Sequence, residues 1–456
     1  MKQLVYKMFL FLGSLKFAVV VILYLAVTSA IGTILESKYN AEIAGLLMYK
    51  TVYMYIGLAG LFICILFSAL TRWPWKKKHI PFLTAHLGIM ILIYGSWVTQ
   101  RYGIDGSLTI PINEKNQWIS ITPKELEVYA SYDGQKYTSL YQGDGEFYLK
   151  PPSKHPIQIP TEEGNIEIVD YIPFALKNTK IVEANDENFG PAVRFSLSND
   201  NVNVTEWILQ RGVRDAVYAL GPAKIILTTK TYKPEEKENV LVLKSSKGDD
   251  KLSYTVFYKK DKPPYHGTAK VGDKIQTGWM GLEFQILEFV KKAKEKNEFL
   301  ARPHPSDRTM AAIKVKYQDQ EYWQELNSLL RVFTSTTAYI LSWRNQQIDI
   351  GFPIQLDEFK LGKYPGTQRA ASYSSIVTVP EIGKTEITMN EPLKYSGYTF
   401  YQASFQQDPS GEPIATILSV NYDPGRPIKY VGSLLIVFGS ILLFYFRKYY
   451  AKSKKV

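Results

Sequence analysis

The chain has 456 residues, of which 46% are hydrophobic, and it carries a formal net charge of +11. Twelve basic residues lie in three short segments without acidic residues, at 1–16, 71–79 and 447–456, and the other 42 are balanced by 43 acidic residues. This distribution excludes a nucleic-acid surface as the reason for the positive charge. Cys64 is the only cysteine, so the chain has neither an internal disulfide nor a CxxC redox pair.

Four apolar segments are long enough to cross a membrane. They lie at 17–35, 53–70, 80–99 and 429–446. A helix that crosses the hydrocarbon core needs about 20 mostly apolar residues. The sequence therefore predicts an integral membrane protein with four transmembrane helices, three of them N-terminal and one C-terminal.

The basic segments predict the orientation of these spans, because Lys and Arg in short loops mark the cytoplasmic side. We expect the N-terminus 1–16, the basic loop 71–79 and the basic tail 447–456 to be cytoplasmic. Alternation of the spans then places the loop 36–52 and the region 100–428 outside the cytoplasm.

Residues 100–428 have the sequence pattern of β-structure. From Gly103 onward, runs of β-branched and aromatic residues alternate with turn sequences such as YDGQ at 132–135. We expect a large, mainly-β extracytoplasmic domain of antiparallel sheets in two sandwich- or barrel-like lobes. A lobe boundary is predicted near 244–265, and the charged stretch 291–307 is predicted to be an exposed helix or a mobile loop.

The common enzymatic signatures are missing: the sequence has no GxxxxGK[ST] phosphate loop, no HExxH and no GxSxG. We therefore predict no catalytic residue. His155, His266 and His304 lie beside prolines or a glycine and are interpreted as loop residues.

His86 lies inside the third apolar segment, eight residues after Lys78. At 1.5 Å per residue it is about 12 Å deeper than that lysine, within the hydrocarbon layer. A neutral imidazole there offers a lone pair to a metal, but an interhelical hydrogen bond accounts for the residue equally well. His79 is about 10 Å away along the helix axis, so these two histidines cannot be the two axial ligands of one iron.

Three long motifs carry a family resemblance. They are RWPWKKKHIPFLTAHLGIMILIYGS at 72–96, LDEFKLGKYPGTQRAASYSSIVTV at 356–379 and MNEPLKYSGYTFYQASFQQDPSG at 389–411. Together with the arrangement of the spans, they resemble the ResB (CcsB) family, the membrane component of system II cytochrome c biogenesis.

The resemblance implies a location in the bacterial cytoplasmic (inner) membrane and a ResC (CcsA) type partner. That partner bears a tryptophan-rich haem-binding segment, the WWD domain, which is absent here. The two proteins would form a cytochrome c synthase, or haem lyase, that carries haem b across the membrane and attaches it to the CxxCH cysteines of an apocytochrome c. This chain would be its non-catalytic or co-catalytic subunit.

The resemblance also implies roles for individual residues. His86 would supply one axial ligand of a transmembrane haem, and a histidine of the partner would supply the other. Candidate haem-entry or propionate contacts are His79, Arg72, Lys76, Lys77 and Lys78. Fixing the topology accounts for this basic cluster without any ligand.

The motif at 389–411 contains five residues that we interpret first as turn and strand residues of the last hairpin, and second as a docking site for the partner or the apocytochrome. They are Asn390, Pro392, Gly397, Tyr401 and Gln402. An alternative hypothesis for the whole chain is a membrane-anchored extracellular binding or scaffold module in which His86 forms an interhelical hydrogen bond.

Overall fold

The computed structural model describes residues 2–184, 189–212, 214–221, 223–234, 238–246, 250–260, 262–364, 370–408 and 411–453. The chain divides into two compact units, one of Met1–Phe174 with Arg302–Val456 and one of Ala175–Ala301. Six of the segments singled out in the sequence extend outside the described residues, namely 1–16, 100–428, 244–265, 356–379, 389–411 and 447–456.

The described residues include six α-helices. They are α1 Lys2–Leu12, α2 Leu15–Lys38, α3 Ala41–Ala44, α4 Val52–Leu70, α5 Ile80–Tyr102 and α6 Arg426–Ser453. A π-helical turn, Gly45–Tyr49, follows α3, and a 3-10 turn, Lys77–His79, precedes α5. Four helices, α2, α4, α5 and α6, are long and apolar enough to cross a membrane. The predicted arrangement of three N-terminal helices and one C-terminal helix is confirmed.

Local sequence explains where these helices begin. Ser14 caps α2, because its hydroxyl accepts a hydrogen bond from the backbone N–H of Phe17 at 3.3 Å. Asn40 caps α3 in the same way through the N–H of Ile43 at 2.8 Å. Pro81 lies in the first turn of α5, where its missing N–H leaves no hydrogen bond unmade.

Helices α5 and α6 pack with their backbones in contact. A Cβ added at Gly88 would lie 2.8 Å from the carbonyl oxygen of Gly432, and one added at Gly432 would lie 2.8 Å from the backbone nitrogen of Leu92. A Cβ added at Gly439 would lie 2.5 Å from the backbone nitrogen of Ala85. Small residues permit this close approach of helices in a membrane, so the two helices form one tightly packed pair.

The strands occupy most of the chain between α5 and α6. In chain order they are β1 Ile104–Pro111, β2 Lys115–Ser131, β3 Thr138–Asp144, β4 Ile157–Thr161, β5 Gly164–Glu183, β6 Ala192–Ser198, β7 Asn203–Leu209, β8 Ala216–Leu220, β9 Ala223–Thr228, β10 Asn239–Ser245, β11 Leu252–Phe257, β12 Tyr265–Ala269, β13 Lys274–Gln276, β14 Glu283–Val290, β15 Ala293–Ala301, β16 Thr309–Tyr317, β17 Gln320–Glu325, β18 Ser328–Phe333, β19 Ala338–Lys363, β20 Ala370–Val379, β21 Gly383–Ile387, β22 Leu393–Tyr395, β23 Tyr398–Gln407 and β24 Pro413–Tyr422.

The first unit contains a ten-stranded sheet in the order β21-β20-β19-β2-β1-β24-β23-β22, with β18 beside β19 and β3 beside β2. Strand β1 pairs antiparallel with β24, from Ile104 opposite Tyr422 to Pro111 opposite Ala415. Because β1 follows α5 and β24 precedes α6, this strand pair continues the helix pair. We call the four elements α5, β1, β24 and α6 the stem.

The second unit contains a five-stranded sheet, β12-β11-β10-β9-β8, and a four-stranded sheet, β13-β14-β6-β7. Both sheets contribute to one apolar core, in which the stacked rings of Phe195 and Phe284 lie 5.2 Å apart. Strands β9 and β10 are parallel, in contrast to the antiparallel pairing expected throughout. The mainly-β character of the large domain is confirmed.

The division into units does not follow the lobe boundary predicted near 244–265. That segment lies inside the second unit, where Ser245 and Leu252 pair across β10 and β11. Polar and charged residues also occur between paired strands of one sheet, so composition alone does not mark a boundary between units.

The charged stretch 291–307 also differs from its prediction as an exposed helix or a mobile loop. Residues 293–301 form β15, which pairs with residues 175–183 of β5. Lys180 lies opposite Lys296 in this pair, and its Nζ reaches diagonally to a carboxylate oxygen of Glu298 at 2.7 Å. Alternating charges are typical of an edge strand that must not pair with another chain, and this accounts for a composition that resembles a solvated helix.

Candidate functional site

The candidate ligand His86 is half-buried on α5, in the first half of the helix. Its Nδ1 lies 3.0 Å from the carbonyl oxygen of Phe82, one turn earlier in the same helix. A carbonyl only accepts hydrogen bonds, so Nδ1 carries the proton in this contact and Nε2 holds the lone pair. This is the tautomer in which Nε2 can coordinate a metal while a backbone carbonyl orients the ring.

An aromatic ring connects His86 to the basic loop. The ring of Phe82 lies 3.7 Å from the imidazole of His86, and the guanidinium of Arg72 lies 3.7 Å from the centre of the same Phe82 ring. Arg72 is held there because it donates to the carbonyl oxygen of Ser68 at 2.6 Å and to its hydroxyl at 2.9 Å. We call Arg72, Phe82 and His86 the Arg72–His86 stack.

The other basic residues singled out in the sequence are not part of this stack. Lys76, Lys77 and Lys78 are exposed, and the backbone N–H of Lys76 donates to Nδ1 of His79 at 3.4 Å. These contacts form the 3-10 turn that leads into α5. Of the five candidate haem-entry residues, Arg72 is thus the one in direct contact with the surroundings of His86.

The hydrogen bond of His86 lies within α5, and no interhelical hydrogen bond of this residue occurs in the described part of the chain. The same part contains no group of three or more His, Cys, Asp or Glu side chains arranged around a metal site.

Sequence reasoning missed Phe82. Its spacing of four residues before His86 was the available signal, since side chains at i and i+4 meet on a helix surface. The contact with Arg72 had no such signal, because Arg72 follows α4 and reaches α5 only through the fold of the connecting loop.

The last hairpin contains the second set of predicted residues. Tyr395 pairs with Tyr398, and the two residues between them, Ser396 and Gly397, have φ angles of 49° and 82°. A two-residue hairpin turn with two positive φ angles favours glycine. A Cβ on Gly397 would also lie 2.9 Å from the ring of Tyr422. Gly397 therefore has a structural role in this turn.

Gln402 is 6% exposed and forms a polar network between strands. Its side-chain NH₂ donates to Thr416 Oγ1 at 3.0 Å, and its side-chain oxygen accepts from the hydroxyl of Ser375 at 2.6 Å. These three side chains come from β23, β24 and β20, and Ser375 and Thr416 are fully buried. A satisfied buried network fixes the register of neighbouring strands.

The remaining members of the hairpin motif have different environments. Asn390 is exposed in the bend before β22, and Pro392 is half-buried beside it. Tyr401 is 37% exposed and lies opposite Ser419 in the pairing of β23 with β24. The five residues thus comprise one turn glycine, one buried network residue, one half-buried proline and two exposed side chains.

Asp423 fastens the helix pair at the point where it meets the sheet. Its carboxylate accepts hydrogen bonds from Thr99 Oγ1 at 2.6 Å and from Lys429 Nζ at 2.8 Å. Burial alone would raise the pKa of Asp423, but the hydrogen bonds from Lys429 and Thr99 and the charges of Lys429 and Arg426 outweigh it and hold the pKa below its ordinary value. The carboxylate thus remains ionised between α5 and α6.

A buried ion cluster fastens the loop between the first two spans to the same unit. The Lys124 side chain on β2 is 5% exposed and pairs with Glu42 of α3 and with Glu146, the latter at 2.8 Å. Burial would lower the pKa of Lys124, but the hydrogen bonds that it donates to Glu146 and Glu42 raise it above its ordinary value. The lysine therefore stays charged although it is buried.

Comparison with known proteins finds similarity in one part of the chain. The ResB-like family matches residues 333–416, which include β19, β20 and the hairpin motif and exclude α5. Protein NrfI of Wolinella succinogenes is 35% identical over 104 residues, which are 22% of this chain and 11% of that protein. The matched stretch thus spans about a tenth of the curated relative. These matches agree with the resemblance found in the sequence motifs, and residues 333–416 are similar to the ResB-like family.

Proposed function

We propose that the protein acts in cytochrome c biogenesis as the haem-handling subunit of a system II synthase, with His86 as one axial ligand of a haem in the membrane. The single observation that carries this proposal is the hydrogen bond from His86 Nδ1 to the Phe82 carbonyl, at 3.0 Å, which leaves the lone pair on Nε2. The similarity of residues 333–416 to the ResB-like family supports the assignment to cytochrome c biogenesis.

In this proposal the second axial ligand is a histidine of a ResC-type partner. His79 lies seven residues from His86, about 10 Å along the helix, which is too far for both to bind one iron on opposite faces. Two histidine ligands keep the iron six-coordinate, so it does not react with other ligands during transit. The partner's haem-binding segment would then receive the haem and present it to the CxxCH cysteines of apocytochrome c.

The Arg72–His86 stack gives the propionates of this haem a counter-charge. The guanidinium of Arg72 is exposed and lies on the face of Phe82 within 3.7 Å of the ring centre. An arginine fork suits a carboxylate better than a lysine ammonium does. Arg72 is therefore the proposed propionate contact, and Lys76, Lys77, Lys78 and His79 are proposed as the entry surface.

The proposed orientation follows from the distribution of charge. Arg72 and the lysines at 76–78 lie at the end of the helical bundle opposite the β-domain, since β1 begins two residues after α5 ends. By the positive-inside rule, that end faces the cytoplasm. We thus propose that the protein lies in the bacterial cytoplasmic membrane. Both termini would be in the cytoplasm, and the β-rich region 100–428 would be outside it.

The test is the visible spectrum of the protein co-purified with its ResC-type partner. We expect haem with the low-spin spectrum of bis-histidine ligation in the unchanged complex, loss of that spectrum in His86→Ala, and its recovery when imidazole is added to the variant. His155→Ala is the matched control, because His155 is exposed in a loop of the β-domain.

Two results would overturn the proposal. A complex without haem would refute the proposed haem-handling role. Equal haem content and spectra in His86→Ala and His155→Ala would refute the assignment of His86 as the ligand. Normal cytochrome c maturation in a deletion strain would favour a membrane-anchored binding or scaffold module.

A further inference from the structure

Helix α1, which precedes the first membrane span, is amphipathic. At 100° per residue, most of its apolar side chains lie on one side of the helix and its polar side chains lie on the other. The apolar side consists of Leu4, Val5, Met8, Phe9, Phe11 and Leu12. The polar side consists of Lys2, Gln3, Tyr6 and Lys7, with Leu10 among them. A helix of this kind suits the boundary between water and lipid.

The apolar side of α1 is largely uncovered. No residue of α1 is buried in the described part of the chain, and Leu4 and Met8 are 73% and 57% exposed. Phe9, at one edge of this side, packs its ring 5.1 Å from the ring of Phe67 on α4. A contiguous apolar face in water is unfavourable, so this side of α1 has a cover that the described residues do not supply.

The connection between α1 and α2 fixes where α1 lies. Ser14 has an extended backbone, with φ −88° and ψ 154°, so α1 and α2 are two helices and not one continuous span. A Cβ added at Gly13 would lie 2.8 Å from the carbonyl oxygen of Phe67. Phe67 is three residues before the end of α4 at Leu70, about 4.5 Å along the helix axis. The end of α1 therefore lies close to the membrane surface, at the same end of the bundle as the basic loop.

Helix α1 cannot cross the hydrocarbon core. Its 11 residues reach about 16 Å, whereas the core is about 30 Å thick. Insertion would also place Lys2 and Lys7 in hydrocarbon, which is unfavourable. The length and charge of α1 thus favour a position on the membrane surface.

The positions of the lysines favour a lipid surface over a protein groove as the cover. Lys2 is next to Phe9 around the helix and Lys7 is next to Phe11, so the two lysines border the apolar side on both edges. Long side chains at such edges reach the headgroups while their stems lie on acyl chains. Lys16 adds a third exposed charge at the start of α2, and no acidic residue precedes Glu36. Negatively charged headgroups complement this segment.

We propose that α1 lies flat on the leaflet that the basic loop faces and binds anionic phospholipids there. Its apolar side would lie among the acyl chains, and Lys2, Lys7 and Lys16 would contact the phosphate groups. This inference goes beyond the proposed function and does not depend on haem binding by His86.

The experiment reconstitutes the full-length protein in vesicles of phosphatidylcholine and phosphatidylglycerol. A fluorescent label is attached at Met8→Cys, on the apolar side, or at Tyr6→Cys, on the polar side, in a Cys64→Ser background that removes the only other cysteine. Lipids brominated in the acyl chains, either phosphatidylglycerol or phosphatidylcholine, serve as quenchers. Lys2→Gln/Lys7→Gln is the test variant. Lys38→Gln/Lys50→Gln is the matched control, because it removes two exposed charges at the other end of the bundle.

We expect the label at position 8 to be quenched more than the label at position 6, and more by brominated phosphatidylglycerol than by brominated phosphatidylcholine. The preference for phosphatidylglycerol should fall about fivefold for each lysine removed in Lys2→Gln/Lys7→Gln. It should be unchanged in Lys38→Gln/Lys50→Gln. Both double variants change exposed side chains only, so the comparison does not depend on a variant with an altered core.

Four results would overturn the proposal. Equal quenching at positions 6 and 8 would show that α1 does not lie flat on the membrane. Equal quenching by the two brominated lipids, or a preference that survives in Lys2→Gln/Lys7→Gln, would show that the lysines do not select anionic lipids. Loss of quenching when a ResC-type partner is reconstituted with the protein would show that the partner covers the apolar side.

Discussion

Replacing Gly432 by alanine should destabilise the protein by separating α5 from α6. The added Cβ would lie 2.8 Å from both the carbonyl oxygen of Gly88 and the backbone nitrogen of Leu92, where ordinary contact begins at 3.4 Å. Both atoms belong to the backbone, so no side chain can turn away and the helices must move apart. Overpacking of this kind costs about 1–3 kcal/mol, and the higher helix propensity of alanine returns up to about 1 kcal/mol. We expect a net loss of about 1–2 kcal/mol.

The matched control is Gly60→Ala in α4. A Cβ there would lie 3.3 Å from a methyl group of Val21, a side chain that can adjust. Reversible unfolding in mixed detergent micelles should therefore show a loss of stability for Gly432→Ala and none, or a small gain, for Gly60→Ala. Equal stability of the two variants would refute the backbone contact between α5 and α6.

Three further predictions concern single side chains. Because the pKa of Asp423 is held below its ordinary value, its ionised form stabilises the folded state at neutral pH, and this contribution disappears as the pH falls through the folded pKa. In thermal unfolding from pH 7 to about pH 3, the unchanged protein should be more stable than Asp423→Asn at neutral pH and equally stable in acid. A difference in stability that stays constant with pH would contradict this. Lys124→Met should lower the free energy of unfolding by about 1–3 kcal/mol, because it leaves two half-buried carboxylates without their cation. Lys180→Met, at an exposed pair, should cost less than about 1 kcal/mol in the same denaturant titration. Phe82→Leu should weaken haem retention by the complex on gel filtration without abolishing the haem spectrum, because His86 keeps its backbone hydrogen bond but loses its stacking ring. Unchanged retention would show that Phe82 does not contribute to the haem site.

The membrane spans could be predicted from the sequence because length and hydropathy alone define them. Segment 17–35 corresponds to α2 over Leu15–Lys38, and 429–446 corresponds to α6 over Arg426–Ser453. The ends of these helices differ from the prediction because polar residues such as Glu36 and Lys38 continue the helix after the apolar run stops. Hydropathy reports burial in lipid, whereas helix ends depend on capping.

The organisation of the β-rich region 100–428 was harder to predict from the sequence. Strand β15 is rich in Lys and Glu, and its partner, residues 175–183 of β5, lies more than a hundred residues earlier in the chain. Only that long-range pairing distinguishes an edge strand from a solvated helix. The same limit applies to Gln402, whose partners Ser375 and Thr416 come from other strands; the register that joins them is a property of the sheet.

Part of the candidate site followed from local spacing and part did not. The depth of His86 and its distance from His79 follow from helical geometry. The stacking of Arg72 on Phe82 depends on the conformation of the loop after α4. This contact has no sequence signal, because it requires two elements whose relative position is set by tertiary packing.

The stem has a mechanical consequence. Strands β1 and β24 are hydrogen-bonded to each other from Ile104 opposite Tyr422 onward, and the helices at their ends are in backbone contact through Gly88 and Gly432. A torque applied to the sheet is therefore transmitted to the membrane helices by two paired segments of the chain. A paired connection resists twisting more than a single linker would. His86 lies on α5, one of these two segments. The direction in which its imidazole faces a neighbouring protein therefore turns with the sheet of the first unit.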